Sequence, residues 1–468
     1  MATFHSTLSR REFMKGLGLT GAGLGAAALV APNFHDLDEL ASSADSHPTM
    51  PWWVKTREHE DITNEIDWDT FKAYDKTANP FPVVSAENVA MRAERDKKFD
   101  NDGIVQNLPG RNLRAVALAD MVTGLQTAPP WDGPEITSPQ SKGYTAWQDT
   151  PENNLQMVRA AVHLIGSNNA GALALNEHML RIFDKGAISW EAGIDKGTLD
   201  SKKVYHIPDK CKYMLTYSIQ QNYTQAKYQL RWDEETYGEG KLGQPMPLGR
   251  PTVHRAYGDG RYSDWMALRF VKNLGYGAYK AGVTANVALG IFSGLGEQGR
   301  STYMMSPRNG LMNRITNYVI TDLPLAATPP IDFGASKFCP QCKICAERCP
   351  SNAMSMESET TWDYGPGNRP GYKGWRMDWI KCQEMGAPSR CGVCHTLCPF
   401  NNPSEGIIHP VIRMTAANTG VFNKFFGEAD RYFGYATPKT DAELEGWWTR
   451  DLSSWKGDVI HGTGQYKW

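Results

Sequence analysis

The first 338 residues of this 468-residue chain are almost free of cysteine, with Cys211 standing alone. Disulfide frameworks spread their cysteines along small secreted domains, so that reading is excluded. Neither sign of charge is in excess: 49 Lys and Arg face 51 Asp and Glu, a net charge of −2. This balance argues against nucleic acid or an acidic membrane surface as a general partner. The chain has no internal repeat and no low-complexity block, and none of its 11 histidines shows metal-ligand spacing. It also lacks a comfortable membrane span, which takes about 20 apolar residues. The best stretch, Gly16 to about Ala31, is short and glycine-rich. What is present is a globular composition, 41% hydrophobic and 21% charged, long enough for two or three packed units. The 15 tryptophans are many, and such rings line cores as well as pockets for flat or apolar ligands.

Ser9-Arg10-Arg11-Glu12-Phe13-Met14-Lys15 matches a twin-arginine export signal. Residues 1–44 are therefore expected to be a signal peptide, with small residues at Ala26–Ala31 and Ser42–Ala44 offering cleavage sites. This route exports folded proteins, often with cofactors already inserted. Gly16-Leu-Gly18-Leu-Thr-Gly21 fits G-x-G-x-x-G, but a basic, polar segment precedes it where a dinucleotide fold needs a strand. The dinucleotide reading is discarded.

Residues 45–150 are polar, rich in Pro, Asp and Trp, and weakly periodic, and they read as a linker and an irregular lobe. Pro51-Trp52-Trp53 reads either as docking on the main body or as part of a small aromatic cluster, the second being the preferred reading. From 151 the pattern changes. Leu155, Val158, Val162 and Ile165 fall at helical spacing. Ala172–Leu175 and Tyr213–Ile219 read as strands. Ala267, Phe270, Val271 and Leu274 form another helical face, closed by Gly275. Residues 151–330 thus suggest an α/β (α+β) layered domain, punctuated by Pro329-Pro330. A cysteine segment, 331–403, and an aromatic-rich extension, 404–468, expected to pack on the core, complete the chain.

The cysteine segment carries the strongest chemistry. Its first motif is Cys339-x2-Cys342-x2-Cys345-x3-Cys349-Pro350, and its second is Cys382-x8-Cys391-x2-Cys394-x3-Cys398-Pro399. The first is the bacterial ferredoxin run, whose fourth cysteine serves the other 4Fe–4S cluster. Two-residue gaps wrap three thiolates around one cubane face, and the x3 gap carries the fourth away. The crossed sets are Cys339, Cys342, Cys345 and Cys398 for one cluster, and Cys382, Cys391, Cys394 and Cys349 for the other. The x8 gap departs from the standard run, yet a longer loop still delivers a thiolate. Structural zinc also accepts four cysteines, but zinc pairs close locally and lack this repeated signature. Cys211 reads as a buried small hydrophobe.

An export signal, a middle α/β domain and two C-terminal ferredoxin motifs, in that order, resemble the respiratory reductive dehalogenases. Phe270-Val-Lys-Asn-Leu-Gly275-Tyr276, Gly294-Leu-Gly296, Ser306-Pro307-Arg-Asn-Gly310, Asn313-Arg314-Ile-Thr316, Asp322-Leu-Pro324-Leu and Pro330-Ile-Asp332-Phe-Gly334 carry the likeness. It is strongest from about Tyr257 to Pro399. The resemblance implies a nitroreductase-like domain that holds a corrinoid, followed by a ferredoxin-like domain with two 4Fe–4S clusters. The D-x-H-x-x-G run of histidine-ligated corrinoid proteins is absent, which agrees with the family's base-off cofactor. The implied reaction is R–X + 2e⁻ + H⁺ → R–H + X⁻.

The family uses a tyrosine as proton donor beside a basic residue. Tyrosine ordinarily holds its proton to a pKa of about 10, and a neighbouring cation stabilises the phenolate. Arg314 matches the family arginine through Asn-Arg-Ile-Thr. Counting back from Gly275-Tyr276 without gaps selects Tyr257 as the tyrosine, whereas matching a local Tyr-Ser pair selects Tyr262. The position of the family's amide or lysine falls on Ala281, a departure. Lys280 beside it is one candidate for that role, and Asn286, in the corrinoid or substrate pocket, is another.

The resemblance further implies an organohalide substrate, with chlorinated ethenes, benzenes and phenols all open. It also implies a small membrane-anchor protein, an upstream respiratory electron donor, no nucleic acid, and a peripheral place on the outer face of the cytoplasmic membrane. A homodimer stays open. Two competing readings remain. An epoxyqueuosine reductase shares the corrinoid and two-cluster plan but acts on tRNA, which an export signal and near-neutral charge do not suit. A non-enzymatic electron carrier would not need residues 151–330.

Overall fold

The computed structural model describes residues 50–452, apart from 52, 82–83, 123–127, 284, 387–390, 402–407, 421–422, 433 and 435–436. The export signal, Trp52, Trp455 and Trp468 lie outside the described residues.

The weakly periodic lobe holds two helices, α1 (Ala86–Val105) and α2 (Leu113–Met121). The side chains of Ser85 and Asn112 accept the Asn88 and Ala115 N–H groups and so start them. Helix α1 buries only Asp96, Phe99 and Gly103, too few apolar positions to show a period. The expectation of an irregular lobe is corrected on that account.

Thr150 caps α3 (Pro151–Leu164), with Pro151 at the first turn, where its missing N–H costs nothing. Strands β1 (Ser167–Ala174) and β2 (Tyr213–Gln220) follow, then the long α4 (Pro251–Asn273). Gly275, just past α4, takes φ +96°, as a left-handed stop requires. Strand β3 (Ala278–Tyr279), helix α5 (Asn286–Phe292) and strand β4 (Asn313–Thr321) complete the middle region. The four strands form one sheet in the order β1-β2-β4-β3, with every pairing antiparallel.

Both faces of this sheet are covered. Leu215, Tyr217 and Val319 pack on Val158 and Val162 of α3 and on Leu268 and Val271 of α4. The alternate residues Met214, Tyr318 and Ile320 pack on Leu289 and Phe292 of α5. This period-2 division makes a three-layer α+β body, the antiparallel form of the expected class. Helix α4 lies close to the sheet at Gly260, where an added Cβ would sit 3.0 Å from the Asn317 side chain.

The cysteine segment begins with α6 (Ala335–Cys342) and continues with α7 (Trp379–Met385). The start of α6 is held from the middle region. The fully buried Glu297 accepts N–H groups from Phe333 (2.7 Å), Ala335 (3.1 Å) and Ser336 (3.3 Å). Burial pushes this carboxyl up to about 7, against the pull of the three donors. Glu297→Ala should leave those donors buried without an acceptor, at about 1–3 kcal/mol each. The check is thermal unfolding followed by cluster absorbance. A midpoint equal to wild type would mean that the α6 start is held by other contacts.

Trp53 is buried in the core that includes Phe338 of α6, so it docks on the main body rather than forming a small aromatic cluster. Near the other terminus Trp447 is buried and donates its indole N–H to Gln225 at 2.7 Å.

Candidate active site

The eight cysteines of the two motifs sit in apolar surroundings, which push their thiols up wherever a shift is resolved, Cys339 to about 11 and Cys391 to about 12. Such thiols are inert alone and become ligands only when a metal supplies compensating charge. Their mutual fields sort them into two groups. Cys345 feels Cys339 and Cys398, and Cys398 feels Cys339 and Cys342. Cys394 feels Cys391, Cys382 and Cys349, and Cys382 feels Cys391 and Cys349. These groups of mutually coupled thiols have the same membership as the crossed sets. Two short helices, Ile344–Glu347 and Val393–Thr396, pack together beside them. Cys345 also feels Cys394, which brings the two groups side by side. Arg300 is buried against the first group, donating to the Cys339 carbonyl at 2.7 and 3.1 Å. The donor set, its burial and its cationic neighbour fit two iron–sulfur clusters.

Cys349→Ser makes the crossing measurable. It should disturb the cluster of the second motif, leaving about half of the iron, although Cys349 belongs to the first motif. Iron analysis with EPR of the reduced protein reads this out. Loss of the cluster held by Cys339, Cys342 and Cys345 would contradict the crossing.

Beside the second cysteine group lies a cavity of about 320 Å³. Its wall takes residues from the lobe (Tyr74), the middle region (Tyr257, Arg314) and the cysteine segment (Arg369, His395). Tyr257 comes from α4 and Arg314 from the start of β4. The β4–β2 register shifts between Arg314 and Asn317, and such a bulge re-aims side chains at a site rim. The Arg314 guanidinium lies 5.2 Å from the centre of the Tyr257 ring. Its Nη1 is 3.1 Å from Nδ1 of His395. Burial and the Arg314 cation hold His395 well below the usual imidazole range. The ring is therefore neutral, with Nδ1 accepting from the arginine. Tyr303 packs edge-on against His395, 4.3 Å between centres, and also faces Trp379. Burial and the nearby Cys382 and Cys394 push the Tyr303 hydroxyl well up. The cysteine group of the second motif is thus the one at the cavity.

Residues 338–401 match the 4Fe-4S double cluster binding domain. The chain is 34% identical to the chloroethene reductive dehalogenase of Dehalococcoides mccartyi strain VS, covering 96% of this chain and 98% of that one. The chain belongs to the reductive dehalogenases. This dehalogenase is also 29% identical to a trichloroethene reductive dehalogenase from another strain of that species, over 96% of this chain and 97% of the relative. Its fold is that of the catabolic reductive dehalogenase NpRdhA, at a TM-score of 0.57 and 20% identity, and of a second solved dehalogenase studied for B12-dependent dehalogenation, at 0.55 and 20%. These alignments cover 82% and 87% of this chain but only 49% and 55% of the solved ones, so the chain spans about half their length. The enzyme is an oxidoreductase that removes halide from an organohalide reductively and carries two 4Fe–4S clusters.

The structure of the dehalogenase separates the sequence candidates. Tyr257 and Asn286 border the cavity with Arg314. Tyr262 does not, and is 57% exposed. Five residues along an α-helix rotate a side chain by about 140°, so the two tyrosines cannot share a face. Lys280 is also set apart from the cavity wall. Its ammonium pairs with the fully buried Asp264 of α4 and donates to the Thr316 carbonyl at 2.7 Å. Tyr217 Oη and Asn317 Nδ2 each donate to the same carboxylate at 2.9 Å. A buried carboxylate needs that company, and Lys280 is committed to it. Cys211 is fully buried, its thiol pushed up to about 12 by burial. Sequence reasoning missed His395, Tyr303 and Trp379. The first lies in the x3 gap of the second motif, beside Cys394, and a search for metal-ligand spacing passes over it.

Proposed function

We propose that the cavity holds a corrinoid and that the enzyme dechlorinates chlorinated ethenes there, with Tyr257 as proton donor. The observation that carries this reading is the Tyr257–Arg314 pair on a cavity wall that borders the second cysteine group. When bound, the corrinoid supplies a redox-active cobalt at which the carbon–halogen bond breaks. The rest falls to the chain's own residues. Cys339, Cys342, Cys345 and Cys398 would hold one cluster, and Cys382, Cys391, Cys394 and Cys349 the one nearer the cavity, and the pair would supply electrons one at a time. The Tyr257 hydroxyl gives the proton, Arg314 stabilises the phenolate that remains, and His395 fixes Arg314. Asn286 borders the bound substrate or corrinoid. The largely apolar wall excludes water from the reacting centre. Chlorinated ethenes are favoured over benzenes and phenols because the two whole-chain relatives are named for ethenes.

Residues 151–330 supply most of the corrinoid domain and 331–403 the cluster domain, although the cavity also draws on the lobe and the cysteine segment. Among the described residues no helix is long and apolar enough to cross a membrane. The twin-arginine motif supports export, and a small anchor protein would then hold the enzyme on the outer face of the membrane, fed by a respiratory donor. Anaerobically purified holoenzyme, given reduced viologen and a panel of chlorinated ethenes, benzenes and phenols, tests the reading. Chloride release from ethenes and one cobalt per chain are expected. Both clusters with no cobalt would sink it.

A further inference from the structure

Among the described residues, the cavity wall contains no Asp, Glu or Lys, but it does contain two arginines. Arg314 has His395 and Tyr257 as neighbours. Arg369 has a different set. It is 8% exposed, and its guanidinium lies 4.9 Å from the Phe71 ring centre and 5.8 Å from that of Tyr74. Its Nη2 reaches the Ile182 carbonyl only at 3.4 Å, and its Nε and Nη1 have no hydrogen-bond partner among the described residues. Asp184 is the acid whose field it feels, and that carboxylate is paired with Lys76 at 2.9 Å. Burial lowers Arg369 to about 10, so it is still a cation at neutral pH. A buried cation with two idle donors is costly unless an anion completes it. The polar groups on the same wall are neutral ones, among them Asn64, Asn368, Gln298 and Tyr372.

Resting on the corrinoid reading above, we infer that Arg369 anchors the phosphodiester of the corrinoid's nucleotide tail. The amides around a corrinoid ring are neutral, and the phosphodiester is the fixed anion of a complete corrinoid. A planar guanidinium with free N–H groups is the side chain suited to a phosphate oxygen pair. Arg314 remains with Tyr257 at the reacting end, so the two cations divide the work between chemistry and cofactor retention. Released halide is the other anion that could use Arg369.

The test is a binding cycle on the full chain carrying both clusters, read by corrinoid absorbance and cobalt retained after gel filtration. Cobalamin has the phosphodiester tail and cobinamide lacks it. Arg369→Gln should weaken cobalamin about tenfold to a hundredfold and leave cobinamide unchanged. Arg369→Lys, which keeps a point charge, should show a smaller loss confined to cobalamin, and it serves if the Gln variant does not retain its clusters. Equal losses for both corrinoids, or none for either, would overturn the assignment. Unchanged corrinoid affinities with weaker inhibition by added chloride or bromide would make Arg369 a halide site instead. If wild type binds neither corrinoid, the cavity reading itself fails, which is a separate result.

Discussion

Replacing Tyr257 with phenylalanine should lower turnover by about 10²- to 10⁴-fold, the range for loss of a positioned proton donor, with iron and cobalt contents at wild-type levels. The substitution is nearly isosteric. It keeps the ring that lies 5.2 Å from the Arg314 guanidinium and removes only the hydroxyl. Packing of α4 on the sheet uses other residues, such as Ala256, Gly260, Ala267 and Leu268. A proton given only in the transition state contributes little to substrate binding, so kcat and kcat/KM should fall together with KM nearly constant. Tyr262→Phe is the matched control, since that side chain is 57% exposed and off the cavity wall. Chloride release with reduced viologen measures both variants. Full turnover in the Tyr257 variant would move the proton to Tyr262 or to solvent, and a defect in the Tyr262 variant alone would reverse the choice.

The parts of this molecule that were legible in its sequence are those where one local rule dominates. Thiolate spacing around a cubane leaves little freedom, so the double-cluster segment stood out before any fold. The apolar periods of α3 and α4 were legible because each packs one clear stripe onto the sheet, and β2 because its apolar run is buried on both faces. Strand β4 was not read as a strand. Its buried residues include Asn313, Arg314, Asn317 and Thr321, so polarity does not track burial along it. Asn317 is spent on the Gly260 carbonyl and the Asp264 carboxylate across the α4 interface. The same hidden carboxylate explains Lys280. Nothing local shows that Asp264, sixteen residues earlier, is fully buried and claims the ammonium. His395 was missed for the converse reason: its neighbour Cys394 had already been given a role, and its contact with Arg314 spans 81 residues.

Arg314→Ala is expected to slow turnover by about 10²- to 10³-fold, as loss of a preorganised charge partner does elsewhere. Arg314 supplies a cation that faces the Tyr257 ring. The other arginine on the wall, Arg369, has the Phe71 and Tyr74 rings and the field of Asp184 around it rather than Tyr257. The phenolate left after proton transfer would then stand in a largely apolar cavity without a partner. Arg314→Lys should fall between wild type and alanine, because an ammonium keeps the charge but lacks the planar fork that meets both the Tyr257 ring and His395 Nδ1. A purely structural arginine would also give a slow variant, so two further readouts are needed. Added guanidinium ion should restore part of the alanine variant's rate, and the pH profile of turnover should shift. No rescue together with an unchanged profile would remove Arg314 from the chemistry. The residue that orients the arginine follows Cys394 directly on the short helix Val393–Thr396. One turn of backbone therefore carries both a cysteine of the second group and the acceptor for Arg314. Loss of the cluster held by that group should thus disturb Arg314 as well as the supply of electrons.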